Sequence, residues 1–122
     1  MVLLVDLDGF KTVNDQHGHE VGDATLRQAA DALRRTSRST DVCGRLGGDE
    51  LAVLLTDVDP ETARIAGRRL VRAVHEATDG RVTASVGLAL GLERADVAGW
   101  LNAADDAMYR AKRAGGDRLV EF

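Results

Sequence analysis

Four acidic side chains occur in two pairs, each beside an apolar run, and together they could hold a divalent cation. Asp6 and Asp8 end the first apolar run of the chain, and Asp49 and Glu50 stand between two glycines and a second apolar run. Because alternate residues of a strand point to the same side, Asp6 and Asp8 would share one face of a sheet. Carboxylates held close together repel each other, and Mg²⁺ relieves that repulsion by taking their oxygens as ligands. Each acid alone would be an ordinary turn residue, so the prediction depends on the two pairs together.

Apolar periodicity and turn residues predict the elements that position these acids. The run VLLVDLD predicts a strand, and Gly47 and Gly48 predict a tight turn inside a hairpin. Asp23 is predicted to cap one helix, whereas Asp59 and Pro60 are typical of the start of another. The predicted strands cover 2–8, 41–47, 49–55, 81–90 and 118–122, and the predicted helices cover 22–38, 59–77 and 95–115, the last beginning at Ala95 and Asp96.

The predicted order of elements is β-α-β-β-α-β-α-β, and its first six elements match a split βαβ, ferredoxin-like pattern. This is an α+β fold in which helices cover the faces of a mostly antiparallel sheet. The first strand and the hairpin are neighbours in such a sheet, so Asp6 and Asp49 would converge from adjacent strands. The fold supports many functions and does not by itself identify one.

Composition narrows the class of protein. A chain of 122 residues predicts one domain, and 44% hydrophobic residues are enough for a buried core. A net charge of −4 argues against a nucleic-acid partner. The single Cys43 cannot form an internal disulfide, which indicates a reducing, cytoplasmic location. The first apolar run is far too short to cross a membrane or act as a signal peptide, so we expect no direct membrane contact.

Four segments together resemble the GGDEF family, the diguanylate cyclases. RLGGDEL resembles the family's signature hairpin, and DLDGFKTVNDQHGHEVGD resembles its first strand and the segment that follows. SVGLA and AADDAMYRAK are similar to its fourth strand and last long helix, and all four segments occur in family order. The resemblance implies that residues 1–122 form one GGDEF domain, with a fold like the palm of nucleotidyl cyclases. It also implies the synthesis of cyclic di-GMP from two GTP.

The resemblance implies a set of metal and catalytic residues. Asp6 would bind the metal through its carboxylate, Leu7 through its backbone carbonyl and Asp49 through its carboxylate, with Glu50 supporting the site. Asp49 would also be the general base for the attacking 3′-hydroxyl, and Lys11 would stabilise negative charge during transfer. Two ions of Mg²⁺, or Mn²⁺, would serve each half-site, as in other two-metal phosphoryl transfers.

The resemblance also implies how GTP would be read. Asn14 and Asp23 would address the guanine edge, since a carboxylate accepts from N1–H and the exocyclic amine and an amide can address O6 or N3. Asp23 could equally be a plain helix cap. Gly47 and Gly48 would leave space for the nucleotide, although a turn that needs positive φ explains them equally well.

The remaining GTP contacts would come from both ends of the chain. Gly9 and Phe10 would form a turn under the triphosphate, where backbone N–H groups hold anions. Lys112 would reach the terminal phosphates. Gly116 stands where the family has a phosphate-contacting arginine, which predicts weaker GTP affinity that Gly116→Arg would improve. Leu51 replaces the usual phenylalanine and should be neutral, since strand alternation points it into the core.

An inhibitory site for the product is implied by an Arg-x-x-Asp pair, Arg38 and Asp41, with Arg68 as a possible second arginine. Arginine binds phosphate or guanine in a bidentate manner, and aspartate accepts from the guanine edge. A helix-end arginine beside a turn aspartate is the simpler reading of the same residues.

The predicted partners are GTP, cyclic di-GMP, a second copy of the domain and an upstream sensor domain in a longer protein. Each site would hold half of the product, so turnover needs a homodimer. The chain lacks the family's helix and Asp-x-Leu-Thr segment before the first strand. The alternative function is a catalytically weak module that binds GTP or cyclic di-GMP as a sensor.

Overall fold

A computed structural model describes residues 1–91 and 96–122 of the chain. None of the helices in these ranges is both long and apolar enough to cross a membrane. The elements, in chain order, are β1 (Val2–Asp8), α1 (Phe10–His17), α2 (His19–Thr36), β2 (Val42–Gly47), β3 (Glu50–Leu54), α3 (Pro60–Ala77), β4 (Thr83–Ala89), α4 (Val97–Arg113) and β5 (Arg118–Glu121).

The strands form one sheet in the order β2-β3-β1-β4-β5. Strand β1 lies antiparallel to both β3 and β4, and β2 lies antiparallel to β3. Strand β5 pairs parallel to β4 at the far edge. The predicted α+β class, with a mostly antiparallel sheet and helices on its faces, is therefore confirmed, and the hairpin is the neighbour of β1 as expected.

The alternation of β1 divides the core between two faces of the sheet. Leu3, Val5 and Leu7 are buried on one face in a cluster that includes residues of α2 and α3. Val2 and Leu4 are buried on the other face against α4. Both faces are covered along β1, which explains why its sequence is a nearly continuous apolar run.

Helix α4 lies unusually close to β4, and a glycine makes this approach possible. A Cβ at Gly87 would overlap the carbonyl oxygen of Ala104 and the backbone nitrogen of Met108, and would lie 3.0 Å from the Met108 Cα. Ala103 and Ala104 are buried at the same contact. Small residues on both elements therefore set the distance between this helix and the sheet.

The segment after β1 differs from the prediction, because it contains a helix that the sequence pattern did not indicate. Helix α1 buries only Val13, so its apolar periodicity is weak. Helix α2 begins at His19 and not at residue 22, and Gly18, at φ +85, separates the two helices. Asp23 consequently lies inside α2, and the prediction that it caps the helix is wrong.

The turn of the hairpin is displaced by one residue from the prediction. Strand β2 includes Gly47, which pairs with Glu50, so Gly48 and Asp49 form the turn. Only Gly48 of the two glycines has a positive φ, at +41°. Leu51 is 3% exposed and points into the core as predicted.

The later helices begin as predicted in the described residues. Asp59 caps α3 by accepting from the Thr62 N–H at 2.9 Å, with Pro60 in the first turn. Asp96 caps α4, and the prediction for Ala95 lies outside the described residues. Ile65 on α3 is 51% exposed, although its spacing from the buried Leu70 and Val74 predicts that it shares their side of the helix.

Candidate active site

The structure brings the two pairs of acids to the same end of the sheet. Asp6 on β1 and Glu50 on β3 are directly opposite each other in the antiparallel register, so both side chains lie on the face covered by α4. Asp49 precedes Glu50 in the turn, and its carbonyl accepts from the Leu7 N–H at 3.2 Å. The predicted metal residues Asp6, Leu7, Asp49 and Glu50 are therefore neighbours.

The carboxylates of Asp6 and Glu50 lie in surroundings that disfavour negative charge. Burial raises the pKa of Asp6, Asp49 raises it further, and Lys112 partly opposes both effects. Burial also raises the pKa of Glu50, with a further contribution from the nearby carboxylate of Asp105 on α4. The sequence did not single out Asp105, because its proximity to Glu50 depends on how α4 packs on the sheet.

Lys112 supplies the positive charge in this cluster. Its Nζ lies 2.9 Å from Oδ1 of Asp6, and the Asp6 side chain is 17% exposed. The same Oδ1 atom is buried and has no hydrogen-bond partner of good geometry among the described residues. The ammonium group therefore balances the charge of Asp6 without fully satisfying its oxygen.

The donor set fits a hard divalent cation. The carboxylates of Asp6 and Glu50, opposed on adjacent strands, match the one or two carboxylates with which proteins usually hold Mg²⁺. Within the described residues, no three Asp, Glu, His or Cys side chains are grouped closely enough to hold a metal by themselves. The set therefore fits an ion that takes its remaining ligands from the backbone and from phosphate.

Asp8 has a different role from Asp6, although both end β1. Its carboxylate accepts from the hydroxyls of Thr83 at 2.8 Å and Ser85 at 2.7 Å. It also accepts from the backbone N–H of Asp117 at 3.0 Å. Asp8 therefore ties the segment after α4 to the sheet, and its oxygens are already occupied.

Gly116 lies against the carboxylate of Asp8. A Cβ at this position would be 2.7 Å from Oδ2 and 2.9 Å from Cγ of Asp8, and the backbone has φ +72. Gly116 is buried, so the arginine that we expected to improve GTP affinity would have to displace the Asp8 carboxylate.

Gly116→Arg is accordingly expected to lower the free energy of unfolding by about 1–3 kcal/mol, because it strains the backbone and displaces Asp8. Urea denaturation measures the loss, and Ala114→Arg, which adds the same charge at an exposed position with negative φ, is the matched control. A stable Gly116→Arg variant with tighter GTP binding would contradict this expectation and support the one drawn from sequence.

The predicted base-reading residues meet where α1 and α2 pack together. The Asn14 carboxamide, on α1, lies against Gly22 of α2, and its Oδ1 is buried with no hydrogen-bond partner among the described residues. Asp23, the next residue of α2, is exposed. The structure thus places the Asn14 side chain against Gly22, one residue before Asp23. Gly22 is a glycine within a helix, and the sequence alone did not indicate a role for it.

The segment between β1 and α1 is more regular than the predicted turn. Gly9 has φ +78 and directly precedes α1, and Phe10 is the first residue of the helix. The Gly9 carbonyl accepts from the Val13 N–H at 3.1 Å. Lys11 is exposed on the first turn of α1.

Arg38 and Asp41 form a close pair at the end of α2. The Arg38 side chain lies 3.0 Å from Oδ1 of Asp41, whose side chain is only 2% exposed. Burial raises the pKa of Asp41, but the hydrogen bonds and the charge of Arg38 outweigh burial and leave that pKa lowered. Arg68 is not brought to this pair, since it lies 3.2 Å from Glu61 and lines another groove. Arg69 lines the groove of Arg38 and Asp41 instead.

Comparison with known proteins identifies the family. The family model described as "Diguanylate cyclase, GGDEF domain" matches residues 1–118. The chain is 40% identical to the probable diguanylate cyclase DgcE of Escherichia coli, covering 99% of this chain but only 12% of that protein. Relatives of this kind are much longer than the present chain.

Two solved structures agree with this assignment. The GGDEF domain of YfiN from Pseudomonas aeruginosa has a TM-score of 0.89 at 36% identity, covering 98% of this chain and 80% of that one. The GGDEF domain of DgcB from Caulobacter crescentus, solved in complex with c-di-GMP, has a TM-score of 0.92 at 26% identity, covering 98% and 75%. The chain therefore belongs to the GGDEF family of diguanylate cyclases.

Proposed function

We propose that this domain is a diguanylate cyclase that condenses two GTP into cyclic di-GMP and two pyrophosphates. The observation that carries the proposal is the opposition of Asp6 and Glu50 on adjacent strands, beside Asp49 and with Lys112 on the Asp6 carboxylate. Degenerate binding modules would not need this set of acids. GTP and a free Cys43 thiol both suit a cytoplasmic location.

The residues of the chain divide the chemistry among them. Asn14 and Asp23 hold the guanine edge, and Lys11 and Lys112 bind phosphate oxygens. Asp49 accepts the proton of the attacking 3′-hydroxyl, whose oxygen bonds to the α-phosphorus of the other GTP as pyrophosphate leaves. Asp6, the Leu7 carbonyl and Asp49, with support from Glu50, would hold Mg²⁺, which would supply the positive charge that neutralises the triphosphate for in-line attack.

Each domain holds one GTP, so two copies must face each other to close the ring of the product. We infer that the isolated chain is nearly inactive until it dimerises, and that in a longer protein an upstream sensor domain controls this step. The twofold arrangement follows from the symmetry of the product.

Incubation with GTP and Mg²⁺ tests the proposed function. Product is analysed over a range of protein concentrations, with and without a fused dimerisation tag. We expect cyclic di-GMP, at a specific rate that rises with concentration and becomes concentration-independent with the tag. Binding of GTP without product under every condition would refute the enzyme and favour a binding module.

A binding module is the second candidate, and Gly116 is the observation that favours it. The buried glycine stands where the family has a phosphate-contacting arginine, so one phosphate contact is missing. Such a module would bind GTP or cyclic di-GMP as a sensor. It would bind nucleotide, but it would form little or no cyclic di-GMP whether or not it was dimerised.

We also propose product inhibition at Arg38 and Asp41. Arg38→Ala is expected to weaken cyclic di-GMP binding roughly tenfold to a hundredfold, because a charge-assisted contact to the ligand is lost. Isothermal titration calorimetry measures the affinity, and initial rates show whether turnover persists without inhibition.

Arg35→Ala is the control, since it removes an exposed arginine from the last turn of α2, three residues before Arg38. The melting temperature must also be compared, because Arg38→Ala removes the guanidinium partner of the Asp41 carboxylate and leaves the hydrogen bond from the backbone N–H of residue 38. Unchanged cyclic di-GMP affinity in a folded Arg38→Ala variant would exclude the proposed inhibitory site.

A further inference from the structure

Gly22 is an unexpected residue at its position in α2. The helix runs without interruption from His19 to Thr36, and Gly22 is buried three residues after its start. Glycine is a poor helix former compared with alanine, because it loses more backbone freedom on folding. Gly22 has no positive φ that would require it, so its presence needs another physical reason.

The side chain of Asn14 supplies that reason. A Cβ at residue 22 would overlap the carboxamide oxygen of Asn14 and would lie 2.7 Å from its Cγ. The carboxamide therefore occupies the volume that any larger residue at this position would fill.

The carboxamide held in this volume has an unmet hydrogen-bonding capacity. Oδ1 of Asn14 is buried and accepts no hydrogen bond among the described residues. Buried polar atoms are normally paired, so an orphaned one points to a partner that is absent from the protein itself. Asp23, the residue that follows Gly22 in α2, is exposed.

We propose that Gly22 determines base specificity through Asn14. Because Gly22 has no side chain, the Asn14 carboxamide can lie against α2 in the orientation that recognises a guanine base. This inference rests on the proposed function, because it takes the ligand of Asn14 and Asp23 to be a guanine nucleotide. Gly22 touches no ligand itself and acts only through Asn14.

Thermal stability distinguishes this positioning role from a purely structural one. If Gly22 served only the packing of α1 on α2, Gly22→Ala would lower the melting temperature, whereas the proposed role predicts no loss. The group that a new Cβ would meet is the end of a side chain, which rotates aside without moving the backbone. Alanine also favours the helix more than glycine does. Gly22→Ala should therefore melt at the same temperature as the wild type or higher, while guanine recognition is lost.

A double-mutant cycle tests the inference. Wild type, Gly22→Ala, Asn14→Ala and the double variant are compared for affinity to GDP and ADP, which bind without turnover. We expect each single variant to bind GDP on the order of tenfold to a hundredfold more weakly, with ADP affinity unchanged. The double variant should bind like Asn14→Ala alone, because Gly22 acts through Asn14.

Two outcomes would overturn the inference: a Gly22→Ala variant that keeps its preference for GDP, or losses that add fully in the double variant. If the wild type itself does not prefer GDP to ADP, the proposed function fails instead.

In that case, the NMR resonances of the Asn14 side-chain amide report the position of Asn14 independently of nucleotide binding. Resonances that move in Gly22→Ala support the spacing role, and unchanged resonances refute it.

Discussion

Asp49→Asn is expected to reduce cyclic di-GMP formation by at least about a thousandfold, with the fold unchanged. The substitution removes the carboxylate that we assign as general base, and it removes one metal ligand as well. The contact that Asp49 makes to the sheet uses its backbone carbonyl, which accepts from Leu7 and remains in the variant. Asparagine is nearly isosteric, so the turn with Gly48 should persist.

Initial rates of product formation by the dimerised protein measure this effect. Asp106→Asn is the matched control, because it removes an exposed α4 carboxylate that pairs with Arg110 outside the cluster. We expect the control to keep its activity, and both variants to melt near the wild-type temperature. An Asp49→Asn protein with more than a few per cent of wild-type activity would rule out the assigned base.

Gly87→Ala is expected to lower the free energy of unfolding by about 3 kcal/mol or more. The added methyl group would meet backbone atoms of Ala104 and Met108, and backbone cannot rotate aside as a side chain does. Helix α4 would have to move away from the sheet, which opens the core cluster around Val2 and Leu4. Domains of this size are stable by only about 5–15 kcal/mol, so the loss is a large fraction of the total.

Urea denaturation followed by circular dichroism measures this loss. Gly44→Ala, in β2, is the control, because a Cβ there meets nothing within 4 Å and the backbone has no positive φ. We expect the control to change stability by less than about 0.5 kcal/mol. Equal stability of the two variants would show that α4 is not held at this distance by Gly87.

The elements that carry strong local signals were predictable from the sequence. Strand β1 has a continuous apolar run, and α3 has both a capping aspartate and Pro60 in its first turn. The order of elements then placed the hairpin beside β1, which correctly predicted that Asp6 meets the acids of the hairpin. These signals lie within a few residues along the chain.

Features that depend on the approach of distant elements were not predictable. Helix α1 buries a single residue, so no periodic pattern marks it. Gly22 and Gly87 are required by side-chain and backbone atoms of other elements, and no local signal distinguishes them from other glycines. The hairpin turn lies at Gly48 and Asp49, one residue later than predicted, because the pairing register changes between Arg45 and Gly47. The alternation of apolar and polar residues does not indicate such an irregularity.

The ion pair between Lys112 and Asp6 would link the binding of the proposed cation thermodynamically to the binding of the proposed nucleotide. A divalent cation that takes Oδ1 of Asp6 would compete with the ammonium group, which lies 2.9 Å away, so the apparent affinity for the cation would be reduced by the work of breaking that pair. The released ammonium is then free to attract phosphate. Linkage is reciprocal, so each ligand strengthens the other by the same factor, and either one alone should bind weakly.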